Sequence, residues 1–274
     1  MLKTASISLA LLLALLVGNS AELRIIDAAG AYATPLRSAA LRYAAAGSGS
    51  VHIEKSNASE ALRRLDDGTA ELILIAEDQL PETFTGCVWN YCTEPLILYV
   101  NADNPLREIS SDDVARLLTD EHPAWSRYTG LRADIHRMAR RGGAAEAAMG
   151  RLLGDRNPDH SIREIHSDES GLILLENDPD ALLFGSWLDA IPLKAVALTI
   201  DHVPPLRKTV ADGSYPLSVR RIFAAATPSA DVENFLRLLD TMDNRRELSD
   251  SGRFPLDMQK QLIRNSKNDE RSDQ

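Results

Sequence analysis

The sequence predicts an α/β fold built on mainly parallel sheet. Apolar runs and amphipathic runs alternate along the chain, and residues 23–76 follow a βαβαβ rhythm. A second set of alternating elements follows. After Lys194 the pattern returns to strands and then helices.

The elements follow in order. Leu23 to Ala28 reads as a buried strand, and Pro35 to Ala46 as an Ala- and Leu-rich helix stopped by Gly47-Ser48-Gly49. Val51 to Glu54 is a strand and Asn57 to Leu65 a helix. Ser56 or Asn57 is its N-cap, and Asn57 with Glu60 has capping-box spacing. Asp67-Gly68 ends that helix, and Glu71 to Ala76 is the next strand. Pro95 to Val100 is a strongly apolar strand, and Ser110 caps a helix through Leu118. Ile135 to Ala139, Ile162 to Ile165 and Ala181 to Ser186 read as strands. Gly142-Gly143 opens a helix to Leu153, and Ser170 to Glu176 is a short helix. Asp212-Gly213 is a turn pair before a strand, and helices follow over Ser229 to Asp240 and Arg245 to Ser251.

The N-terminus gives an address. Lys3 precedes an apolar core from Ile7 to Val17, and small residues follow at Gly18, Ser20 and Ala21. This is the pattern of a secretory signal peptide over 1–21. The apolar run is shorter than the roughly 20 residues of a membrane span. No cysteine near residue 20 offers a lipid anchor. A periplasmic or secreted protein is expected. Cys87 and Cys92 are separated by four residues, and in an exported chain they are expected to form a local disulfide. The six histidines show no metal-binding spacing, so no metal or cofactor is expected. A net charge of −10 argues against nucleic acid and anionic membranes as partners. Asn265 to Gln274 holds no apolar residue, and a disordered tail is expected over 263–274.

Several segments resemble one family. Asp212-Gly213-Ser214-Tyr215-Pro216-Leu217-Ser218 with Arg220-Arg221 is similar to the G-x-Y-P-L-S-R segment of phosphate ABC-transporter substrate-binding proteins, the PstS-like family. Asn104-Pro105-Leu106, Ile109-Ser110 with Asp113-Val114, and Trp125 resemble a second stretch of that family. Ser167 to Ser186 resembles a third, and Phe235 to Leu256 its C-terminal ending. The match runs over about 23–258.

The resemblance implies the two-lobed type II periplasmic-binding-protein fold with two hinge crossings. Lobe one would be 22–98 plus 196–262 and lobe two 99–195, with crossings near Leu98–Asn101 and Lys194–Ala197. It also implies a monomeric binding protein, not an enzyme. Such a protein holds inorganic phosphate or a related oxyanion between its lobes for the membrane subunits of an ABC importer.

By the same resemblance, three helix-start loops and one carboxylate form the ligand site. Ala33 and Thr34 stand in the first loop, Ser56 and Asn57 in the second, and Arg137, Arg141, Gly142 and Gly143 in the third. Glu71 stands where the family has an aspartate that accepts the phosphate proton. Helix N-termini and arginine suit an oxyanion. Several family hydroxyls are missing here. Local physics offers other roles: Thr34 as a helix start, Ser56 as an N-cap, Gly142-Gly143 as a turn, Glu71 as a strand-end carboxylate, and the Arg137/Arg140/Arg141 cluster, otherwise the best anion feature, as a solvated basic turn. A scaffold acting as a sensor or protein-interaction module is the alternative. An exported hydrolase has no support, because no Gly-x-Ser-x-Gly elbow is present.

Overall fold

The computed structural model describes residues 22–28, 34–140, 144–154, 156–188 and 190–263. The expected signal peptide lies outside them, as does the tail beyond 263.

The chain opens with β1 (Glu22–Asp27), α1 (Thr34–Ala45), β2 (Ser50–Lys55), α2 (Ala58–Asp66) and β3 (Leu72–Ala76). The three strands are parallel, with β1 between β2 and β3. Asn57 caps α2, its side chain accepting from Glu60 N at 2.9 Å. Every residue of β3 is buried, which explains its unbroken apolar run. After a short 3-10 turn at Glu77–Gln79 come β4 (Gly86–Pro95) and β5 (Ile97–Asn101).

The next stretch holds β6 (Glu108–Ile109), α3 (Ser111–Thr119), β7 (His136–Arg140), α4 (Ala144–Leu153) and β8 (Arg163–Ile165). Then follow α5 (Asp168–Glu176), β9 (Ala181–Gly185), β10 (Ala195–Ala197), β11 (Thr199–Ile200) and α6 (Arg207–Ala211). Ser110 caps α3, accepting from Asp113 N at 3.1 Å. Ser110→Ala should lower stability by about 1 kcal/mol in urea titration. The chain ends with β12 (Ser218–Ala225), α7 (Ala230–Leu239), α8 (Met242–Asp250), β13 (Phe254–Pro255) and β14 (Lys260–Ile263).

Two larger sheets result among the described residues. The first has the order β13-β4-β12-β3-β1-β2, with β14 also on β4. The second runs β10-β5-β9-β7-β8. Buried side chains cover both faces of the first sheet, with Tyr43, Phe223 and Phe235 in one cluster and Ile26, Ile73 and Ile222 in the other. The second sheet packs around Trp125, Tyr99 and Phe184.

The first passage between sheets lies just before the expected place and the return lies well after it. Crossings were expected near Leu98–Asn101 and Lys194–Ala197. The first of these stretches lies within β5, and Ala195–Ala197 forms β10, paired with β5. The chain leaves the first sheet at Pro95–Leu96 and returns to it at Ser218. The two passages are bonded to each other: Leu96 N donates to Leu217 O at 2.7 Å, and the buried Tyr215 hydroxyl donates to Leu96 O at 3.1 Å. Tyr215-Pro216-Leu217-Ser218 is therefore the return passage. Its turn is built by Gly213 at φ 78° and by Asp212 Oδ1 accepting from Ser214 N at 3.0 Å. Tyr215→Phe removes one buried hydrogen bond and should cost about 1 kcal/mol by thermal melting.

The expected disulfide is absent. Cys87 and Cys92 are both free and buried. Both lie in β4, where five steps of about 3.3 Å put their Cα atoms roughly 16 Å apart, against an upper limit near 7 Å for a bridge. The one extended strand that carries both of them holds them apart. Burial pushes the Cys92 thiol pKa up, so it is inert in the folded chain. Alkylation should reach Cys92 only after denaturation, then label both thiols without prior reduction, as read by intact mass.

Candidate functional site

In parallel α/β sheets, ligands meet the chain at the C-terminal strand ends, where helices begin. In the first sheet these ends are Asp27, Lys55 and Ala76. Asp27 and Lys55 are register partners across β1 and β2. Ser56 N donates to Asp27 O at 3.1 Å, which turns the chain into α2. Ser56 is half-buried here and Asn57 exposed, so both expected second-loop residues stand at the ligand end. The Asn57 side chain is already used in capping. Thr34 is the first residue of α1. Ala33, Arg141, Gly142 and Gly143 lie outside the described residues, and α4 begins directly after them at Ala144.

Two expected residues do not reach this edge. Glu71 stands before β3, at the opposite end of the sheet. Its carboxylate takes Arg24 Nη2 at 2.9 Å and Arg24 N at 2.8 Å. Six strand-like steps, about 20 Å, separate it from Glu77 at the ligand end. Arg137 is buried within β7. Its Nη1 donates to Leu117 O at 2.6 Å, and its Nη2 to Asp159 Oδ1 and Ser161 Oγ, both at 2.8 Å. Burial pushes its pKa down, with Asp159 opposing. This arginine pins the 159–161 loop to the C-terminal turn of α3. Among the described residues, the cation at the ligand end of β7 is Arg140.

The carboxylates at the ligand end of β3 are Glu77 and Asp78. They line a cavity of about 310 Å³ with Thr93, Arg151, Asp212, Gly213, Ser218 and Arg220. This cavity joins the two halves of the molecule, because Arg151 comes from α4 and Thr93, Ser218 and Arg220 from the first sheet. Arg151 Nε meets Asp78 Oδ2 at 2.9 Å, and its Nη1 donates to Ser218 O at 3.0 Å. Arg220 Nη1 lies 3.5 Å from Glu77 Oε2. Thr93 Oγ1 and Ser218 Oγ are buried without a hydrogen-bond partner, so two hydroxyls remain for a ligand or water. Each arginine already faces a carboxylate. The cavity therefore offers donors and acceptors together and does not present bare positive charge.

Behind it, Glu94 accepts from Arg221 Nε and Arg253 Nε, each at 2.7 Å, with all three side chains buried. This cluster ties β4, β12 and the turn before β13 together at the ligand end. Sequence reasoning missed Glu77, Asp78 and Arg151, and it reached Arg140 only as one member of an arginine cluster with Arg137 and Arg141. Glu77 and Asp78 could have been found by asking which charged residues directly follow a predicted strand.

No helix among the described residues is long and apolar enough to cross a membrane. A PBP superfamily domain model matches residues 19–239. No curated protein matches the chain. Among solved structures, an ABC-type phosphate transport receptor from Vibrio cholerae is similar at TM-score 0.63 and 16% identity, covering 85% of this chain and 99% of that one. PstS from Borrelia burgdorferi is similar at TM-score 0.64 and 13% identity, covering 86% and 98%. A possible phosphate binding protein from Planctomyces limnophilus reaches TM-score 0.70 at 11% identity, covering 86% and 93%. At these identities the likeness is one of fold: two-lobed binding proteins.

Proposed function

Since the chain belongs to the PBP superfamily, we propose that it is an exported solute-binding protein that holds a phosphate-type oxyanion between its lobes for an ABC importer. Residues 22–95 with 218–263 would form one lobe and 97–217 the other. The observation that carries this reading is the arrangement of strand ends. Helices α1 and α2 start after β1 and β2, α4 starts after β7, and Arg140 stands at the end of β7. Free N–H groups and a positive dipole end at each start suit an oxyanion. The solved neighbours described as phosphate receptors support the ligand class through fold likeness. Closure of the lobes on the anion would be the state read by the membrane subunits.

Calorimetric titration of the chain without residues 1–21 tests this. Phosphate should bind saturably, one per chain. Arg140→Ala should weaken it by about 1.5–3 kcal/mol, the range for a hydrogen bond to a charged group. No heat with phosphate or with sulfate overturns the reading.

A second reading has its own support. Glu71 and Arg137 are tied into structural pairs, and both cavity arginines face carboxylates. A scaffold whose anion site is lost would serve as a sensor or interaction module. Failure of the titration would favour it.

A further inference from the structure

The cavity at the lobe junction holds more chemistry than the capture of a bare anion uses. Strand pairing assembles one wall of it. Arg220 on β12 is the register partner of Thr93 on β4, and Ser218 stands two residues before Arg220. Register partners, and residues two apart on one strand, share a face of a sheet. Thr93, Ser218 and Arg220 therefore point the same way, and the buried Glu94 points the other. Arg151 enters from α4 of the second lobe. Gly213 lets the Arg220 guanidinium lie against its turn. A Cβ there would stand 3.1 Å from Arg220 Nη2, and a φ of 78° also resists a side chain.

The charges of this lining are uneven. Among the described residues, three carboxylates, Glu77, Asp78 and Asp212, stand against two guanidiniums, Arg151 and Arg220. Hydrogen bonds from Ser214 hold the Asp212 carboxyl below its usual pKa, so it is anionic at neutral pH. Each arginine is already paired, Arg151 with Asp78 at 2.9 Å and Arg220 with Glu77 at 3.5 Å. All four side chains are partly exposed, and ion pairs of that kind add little to stability, so a ligand can part them. The ligand must then re-pair every charge it has separated. A bare oxyanion on the arginines would strand Glu77 and Asp78 beside a further negative charge. A solute with its own ammonium group would not. Its oxyanion would take the guanidiniums, and its ammonium the carboxylates they release. Thr93 is 1% exposed and its hydroxyl has no partner, and the buried Ser218 hydroxyl is unpaired as well. Two neutral donors thus remain for the oxyanion.

Resting on the reading above that the chain takes its solute between the lobes, we propose that this cavity binds a small zwitterion, with one oxyanion group and one ammonium group a few bonds apart. A volume of about 310 Å³ is at the low end for ligand sites and suits a compact solute. Because Arg151 and Asp78 come from different lobes, a solute that takes both bridges the two. An aminoalkyl phosphonate and a small amino acid share this chemistry and differ in the oxyanion head.

Calorimetric titration of the chain without residues 1–21 tests it with two matched pairs. Aminoethylphosphonate is compared with ethylphosphonate, and β-alanine with propionate. Each pair differs only in the ammonium group. In at least one pair the amine-bearing member should bind about tenfold tighter or more, the size of one charged hydrogen bond, and that pair identifies the head. Asp78→Asn should weaken the zwitterion and tighten its deaminated analogue, because it removes an ammonium acceptor and frees Arg151. Glu77→Gln should act the same way through Arg220, and it carries the test if melting curves show Asp78→Asn unfolded. No preference for the amine in either pair, or a preference unchanged in the folded variants, overturns the inference; phosphate binding by the same chain then leaves the importer reading standing. A zwitterion bound where phosphate and sulfate give no heat upholds the inference and overturns phosphate as the ligand. No heat with any of these solutes overturns both.

Discussion

Glu94→Ala should destabilise the fold by about 3–5 kcal/mol, because it leaves two buried guanidinium groups without their shared carboxylate. Glu94 accepts from both Arg221 and Arg253, and its own side chain is 2% exposed. A buried ion cluster is a weak source of net stability, since desolvation offsets most of the attraction. Removing one member of it is costly, because the opposite charges stay buried. Glu94→Gln keeps the volume and an acceptor oxygen while dropping the charge, so it should fall between wild type and alanine. Urea unfolding at neutral pH reads both. A loss under about 1 kcal/mol for Glu94→Ala would mean that the cluster is hydrated and that its role in joining β4, β12 and the 252–253 turn is small.

Arg137→Ala should cost about 3–5 kcal/mol of stability for the same reason, while leaving the anion affinity of the folded fraction unchanged. The side chain is fixed by Leu117 O, Asp159 and Ser161 and is 2% exposed. Its loss removes the cationic partner of Asp159, which keeps only Ser161, and leaves a helix-end carbonyl without its donor. The contrast with Arg140→Ala is the informative one. Arg140→Ala should change affinity with little change in melting temperature, and Arg137→Ala the reverse. If Arg137→Ala lowered affinity in folded protein with stability intact, the assignment of the two arginines would be exchanged.

These two arginines show where sequence stops being informative. Arg137 and Arg140 are three residues apart, and both suit an anion by chemistry. Only the position of β7 in its sheet decides that one lies inside and the other at the ligand end. Glu71 presents the same difficulty, since a carboxylate beside a strand has one meaning before it and another after it. By contrast, features set by near neighbours were legible. Asn57 and Ser110 cap helices as their spacing indicates, and Asp212-Gly213 makes its turn. Strand β4 was invisible for a non-local reason. Its buried Thr93 and Glu94 break any apolar pattern, and the two arginines that donate to Glu94, Arg221 on β12 and Arg253, come from more than a hundred residues later. The two cysteines misled because exported chains commonly pair them, while a single extended strand holds them apart.

The central claim is that an oxyanion binds between the lobes at several helix starts together. Hydrogen exchange of the chain with and without saturating phosphate tests it most directly. The account predicts slower exchange at once in peptides covering the starts of α1 and α2 and the junction of β7 with α4, with little change at Arg137's neighbours on α3. Binding that protects one lobe alone, or exchange that phosphate leaves unaltered throughout, would contradict it.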